Sequence, residues 1–138
     1  KDDFAHFSEA GARLAKQFDA YEPLPGLHVN GKQTLSENIA DVAGLSAAFD
    51  AYRASYKGAQ GPTEHGLTGD QRFFIAFAQE WRDKYRDPLL RQIVLTNGHA
   101  PAEFRADTVR NLDSWYEAFK PQPGEKLFLA PGDRVRVW

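Results

Sequence analysis

Glu37 and Asp41 stand four residues apart, close to one turn of an α-helix, so a helix through them presents both carboxylates on one face. Like charges at that spacing repel by a few tenths of a kcal/mol on an exposed helix, roughly, and a cation beside them removes the cost. Catalytic zinc takes a carboxylate oxygen as one of three protein ligands, and a second carboxylate can orient a ligand histidine from behind. The same residues have a plainer reading. Thr34-Leu35-Ser36-Glu37 fits a capping box, in which Glu37 folds back onto the helix start and Asp41 is a solvated surface acid. Spacing alone favours the plainer reading.

A second constellation is His99-Ala100-Pro101 followed by Phe104-Arg105. A histidine after Asn97-Gly98 and before a proline sits on a turn. A loop imidazole can donate to a developing oxyanion, and an arginine can hold a carbonyl or a carboxylate. The alternative is an exposed loop histidine with a surface arginine beside it. His6, His28 and His65 pair with no acid or histidine at metal-motif spacing, and the chain contains no H-E-x-x-H. It has no G-x-S-x-G nucleophile elbow and no phosphate-cradling glycine loop.

These residues must be positioned by helices. Residues 3–19 carry Phe4, Phe7, Leu14 and Phe18 at helical spacing, and Pro23, Pro25 and Gly26 end that pattern. Val29 is followed by the turn dipeptide Asn30-Gly31. From Thr34 to about Tyr56, Ile39, Val42, Leu45, Phe49 and Tyr52 form the best helical stripe in the chain. A glycine-rich loop over 58–69 precedes a second long helix over 70–85, with Phe73, Phe74, Phe77 and Trp81. That stripe reads first as core. A shorter helix follows Pro88, and residues 108–119 read as another. The tail is expected to hold two short extended runs, 126–129 and 134–137. The fold class is mainly α, in a single unit spanning 1–138.

Composition narrows the function classes. The chain has 138 residues, 42% of them hydrophobic, enough for one packed core. Its net charge of -2 argues against nucleic acid or an anionic membrane surface as a partner. Cysteine is absent, which excludes disulfides, thiolate nucleophiles and cysteine-held zinc. No run approaches the length of a membrane span, and no signal peptide is visible. Methionine is absent even at position 1, so the chain is expected to be a processed product or a piece of a longer protein.

Four stretches resemble one family, the neprilysin and endothelin-converting-enzyme zinc peptidases. Val29-Asn30-Gly31, Thr34-Leu35, Glu37-Asn38-Ile39-Ala40-Asp41 and Gly44-Leu45 are similar to its V-N-G-x-x-T-L-x-E-N-I-A-D-x-x-G-L stretch. Phe73-Phe74 with Phe77-Ala78-Gln79 and Trp81 resembles its F-F-x-x-F-A-Q-x-W helix. His99 to Arg105 matches its H-A-P-x-x-F-R, and Arg136-Val137-Trp138 resembles its terminal R-V-W. The chain departs from the pattern at three places. Ser36 stands where a glycine usually precedes the glutamate, Val135 where animal members have cysteine, and Asn97-Gly98 where an acid and a proline often precede the histidine.

The resemblance implies a C-terminal portion of a gluzincin-type catalytic domain, acting on peptides. Glu37 would be the third protein ligand to zinc, and Asp41 would hold a zinc-binding histidine in orientation. His99 would stabilise the tetrahedral transition state, and Arg105 would bind the substrate backbone or help position the site. Trp81 would border the pocket for the residue after the scissile bond. The two histidine ligands and the general base would come from an H-E-x-x-H helix in the rest of the same protein, and location outside the cytoplasm would follow. Two expectations come with this. The chain alone should be inactive, and Glu37, Asp41, His99 and Arg105 should converge on one open face that could drive homodimerisation. The rival is a helical interaction module, or a degenerate homologue, whose acids are surface decoration.

Overall fold

A computed structural model describes residues 2–137. Six α-helices follow one another: α1 (Asp2–Asp19), α2 (Leu35–Ser55), α3 (Gly69–Glu80), α4 (Asp87–Thr96), α5 (Ala102–Ala106) and α6 (Asp113–Phe119). Short 3-10 turns lie at Asp107–Asn111 and Pro131–Asp133. No strand forms among the described residues, in keeping with a mainly helical chain.

The long helix α2 is the spine because its apolar residues serve two clusters. Val42, with Ile39 and Leu35 against it, joins Ala10, Leu14 and Phe18 of α1, Phe104 of α5, and Val135 and Val137 of the tail. One to two turns further on, Leu45 and Phe49 join Phe74 of α3, Val109 and Leu112. Leu14 and Phe18 are 0% and 2% exposed, and burying such a side chain contributes about 1.5–3 kcal/mol. The remaining face of α2 carries Glu37, Ala40, Asp41, Gly44 and Ala48.

The start of α2 is set by a close backbone approach. A Cβ on Gly31 would lie 1.9 Å from the Ala15 carbonyl oxygen of α1, so only glycine fits there. The Gly31 amide donates to Asp19 Oδ1 at 2.7 Å, which ties the end of α1 to the turn. The capping box expected at Thr34 does not form. Thr34 has φ -96° and ψ 2°, not the extended backbone that aims an N-cap side chain at the helix amides. Its hydroxyl instead donates to the Asn30 carbonyl at 3.2 Å and accepts from Asn38 Nδ2 at 2.9 Å. Glu37 is thereby released from the helix start. The capping box in this chain is at α3, between Thr68 and Gln71.

Other boundaries also differ from expectation. α3 stops at Glu80 with Trp81 as its C-cap, so residues 82–86 run as an irregular connection instead of continuing the helix. The helix expected over 108–119 is broken at Leu112, extended at φ -98° and ψ 119°, into a 3-10 turn and α6, and the short α5 before it was not expected. On α1, Phe4 and Phe7 are exposed, because only the part from Ala10 onward reaches the core. The tail is not paired into a sheet. Lys126 and Leu127 lie in a turn, and residues 134–137 are fastened by side chains. Val135 N–H donates to Asn111 Oδ1 at 2.8 Å, and Gln17 donates to the Asp133 carbonyl at 3.0 Å. Val135 is 1% exposed, so a tail without a ladder still closes the core. Trp138, the last residue of the terminal motif, lies outside the described residues.

Candidate active site

The N-terminal turns of α2 aim two carboxylates at an imidazole and a guanidinium. Glu37 Oε2 lies 3.0 Å from His99 Nε2. One turn on, Asp41 takes two hydrogen bonds from Arg105, each 2.7 Å, from Nε to one oxygen and from Nη2 to the other. The Arg105 guanidinium also lies 4.1 Å from the Trp81 ring centroid, a cation–π contact that joins α5 to the end of α3. All five residues singled out in the sequence, Glu37, Asp41, Trp81, His99 and Arg105, therefore meet on one side of the molecule. His6, His28 and His65 are exposed elsewhere.

The two pairs differ in environment. Asp41 and Arg105 side chains are only 10% and 17% exposed, so their fork is largely removed from water. The Asp41 hydrogen bonds hold the Arg105 pKa above its ordinary value against the opposing effect of burial, and the Asp41 and Glu37 charges add to the rise. Glu37 and His99 are 39% and 48% exposed, so their contact is open to solvent and to any incoming group. A cleft of about 300 Å³ lies beside the pairs, walled by Trp81, Tyr85, His99 and Arg105. On the other side of Asp41 an apolar groove of about 470 Å³ runs between α2 and α3, floored by Ala40, Gly44, Phe73 and Phe77.

Two residues that the sequence did not single out hold the histidine. Asn97 Oδ1 accepts from the His99 backbone N–H at 3.0 Å and lies 3.0 Å from ring Nδ1. Gln33 Nε2 donates to the Asn97 carbonyl at 2.8 Å. The Asn97 contact had a local signal, since asparagine commonly bonds the backbone two residues on. Gln33 had none, being 64 residues away.

As a donor set, these residues fit one corner of a zinc site. Glu37 offers a partly exposed carboxylate, and Asp41 keeps lone pairs beyond those that Arg105 uses. Among the described residues there is no group of three histidine, cysteine, aspartate or glutamate side chains able to hold a metal. A catalytic zinc needs three protein ligands, so the other donors have to come from elsewhere.

The pattern described as Peptidase family M13 matches residues 1–135. The chain belongs to this family. Human endothelin-converting enzyme-like 1 is 38% identical over 144 residues, covering 98% of this chain and 17% of its own length. Neutral endopeptidase of Lactobacillus helveticus is 32% identical over 138 residues, covering 99% of this chain and 20% of its own. The crystal structure of the Mycobacterium tuberculosis zinc metalloprotease ZMP1 in complex with an inhibitor superposes with a TM-score of 0.95 at 41% identity, over 100% of this chain and 22% of that one. The chain thus spans about a fifth of the length of the family members it matches. No helix among the described residues is long and apolar enough to cross a membrane.

Proposed function

We propose that this chain is the C-terminal part of a zinc metalloendopeptidase and supplies one metal ligand together with the groups that receive the substrate. The observation that carries the reading is the pairing of Glu37 with His99 and of Asp41 with Arg105 from successive turns of one helix. Family membership over nearly the whole chain supports it.

In this reading Glu37 gives a carboxylate oxygen to the metal. When bound, zinc polarises the scissile carbonyl and lowers the pKa of its water. Asp41, fixed by the Arg105 fork, keeps free lone pairs that accept the N–H of an imidazole from the rest of the protein. That bond orients a ligand ring, as carboxylates behind metal-bound histidines do. His99 Nε2 faces the same opening and donates to the carbonyl oxygen as negative charge builds on it. Arg105 keeps an N–H edge toward the cleft for the substrate backbone, and Trp81 walls the space for the residue after the scissile bond. The substrates are peptides, and the enzyme works outside the cytoplasm. The 138-residue chain alone hydrolyses nothing, because one carboxylate cannot hold catalytic zinc. Its uncovered site face then favours self-association.

The test uses the intact polypeptide that carries this chain. Glu37→Gln should abolish stoichiometric zinc by elemental analysis. His99→Ala should keep zinc and lower peptide turnover by about 100-fold, the scale of losing one oxyanion donor. Full zinc in the first variant, or full turnover in the second, overturns the role assigned to that residue.

A further inference from the structure

The imidazole of His99 is held from behind by an amide. The His99 backbone N–H can only donate, so the Asn97 side-chain atom 3.0 Å from it is the oxygen. The same oxygen lies 3.0 Å from ring Nδ1, and an amide oxygen only accepts, so Nδ1 carries the proton in that contact. Nε2 then faces Glu37 Oε2 and the cleft, and it donates to an oxygen there when the ring carries a proton on both nitrogens. Asn97 is itself anchored through both of its backbone polar groups. Its N–H donates to the Ile93 carbonyl at 2.9 Å, which makes it the C-cap of α4. Its carbonyl accepts from Gln33, and Gln33 N–H in turn donates to Asn30 Oδ1 at 3.0 Å. The histidine loop is therefore strapped to the turn from which α2, with Glu37, departs.

From this geometry we infer that Asn97 and Gln33 are positioning residues for His99: Asn97 fixes the ring's orientation so that Nε2 meets the substrate oxygen, and Gln33 fixes the loop to the element that carries Glu37. The inference rests on the proposed role of His99. Both residues are exposed, and neither contributes to the core, so their purpose is not packing.

The test has two readouts. In the 138-residue chain, at a pH where the ring is protonated, the Nδ1–H proton of His99 should give a protected NMR resonance. Asn97→Ala should lose it to exchange, and Asn97→Asp, which keeps an acceptor oxygen, should retain it. Gln33→Ala leaves the Asn97 side chain in place and should speed exchange of the His99 backbone amide severalfold. In the intact zinc-loaded protein, Asn97→Ala should lower kcat about tenfold, the lower end of what losing an orienting partner costs, with KM and zinc content unchanged, and Asn97→Asp should restore it. An unaltered Nδ1–H resonance in Asn97→Ala overturns the inference. Were the resonances to behave as expected in an intact protein that cleaves no peptide, the positioning would stand and the peptidase reading would fall.

Discussion

Arg105 clasps Asp41 with two parallel hydrogen bonds of 2.7 Å while its guanidinium lies 4.1 Å from the Trp81 ring centroid. One side chain from α5 thus fixes the acid on α2 and the indole that ends α3. The fork is planar and matches the carboxylate edge, which a lysine ammonium cannot do.

Arg105→Ala should therefore cost stability as well as any activity. Asp41 is 10% exposed, and removing its partner leaves a buried charge uncompensated. The expected loss is about 3 kcal/mol, read from urea unfolding. Arg105→Lys should recover less than half of it. A loss within about 0.5 kcal/mol, the scale of ordinary surface changes, would make the fork a surface pair of little consequence.

Gly31→Ala tests the close approach that sets the start of α2. The new methyl would stand 1.9 Å from the Ala15 carbonyl oxygen, so α1 and the turn have to separate. Overpacking of this kind costs about 2–3 kcal/mol. Because Glu37 lies six residues on, zinc affinity of the intact protein should fall with stability. Gly44→Ala is the contrast: a Cβ there meets nothing within 4 Å in the middle of α2, and stability should rise by about 0.5–1 kcal/mol.

Helix α2 was legible from its stripe because Val42, Leu45 and Phe49 bury and Ile39 packs half-buried against them, although into two different clusters. The convergence of Glu37, Asp41, Trp81, His99 and Arg105 was not legible from spacing. Asp41 and Arg105 are 64 residues apart, and only the family motifs joined them in advance. The false capping box at Thr34 has a physical source. Its backbone is bent by the Asn30-Gly31 turn packed on α1, a tertiary contact that no local pattern encodes. The break over 107–111 arises similarly, from Asp107, Thr108 and Asn111 being buried, polar residues at positions that a surface helix would expose.

Asp107 makes stability depend on pH. It is 7% exposed, its Oδ2 has no hydrogen-bond partner, and burial raises its pKa from the ordinary carboxylate value, with Glu103 adding to the rise. Lys126, Arg110 and the Tyr21 hydroxyl oppose it without cancelling it. A raised folded pKa means that folding favours the protonated carboxyl. Its contribution is fully present below the unfolded value of 3.8 and is lost as pH rises through the folded value. Asp107→Asn removes the charge and keeps the shape. It should be more stable than the parent chain at pH 7, with the gap closing toward about pH 3. Urea midpoints at the two pH values check this, and an equal gap at both would rule the carboxylate out as the source.

The isolated 138-residue chain should bind zinc weakly. Glu37 and His99 are the nearest donor pair on the site face, 3.0 Å apart, and among the described residues no third donor of the right kind joins them. A structural or catalytic zinc site requires three or four protein ligands, and each missing one is replaced by water that exchanges freely. After dialysis against a mild chelator, elemental analysis should find well under one zinc per chain, and Glu37→Gln should change that figure little. In the intact polypeptide the same substitution should remove a stoichiometric metal. The contrast between the two backgrounds measures how much of the site the rest of the protein supplies. Stoichiometric zinc retained by the isolated chain, and lost on Glu37→Gln, would mean that this fifth of the family's length already encloses a metal by itself.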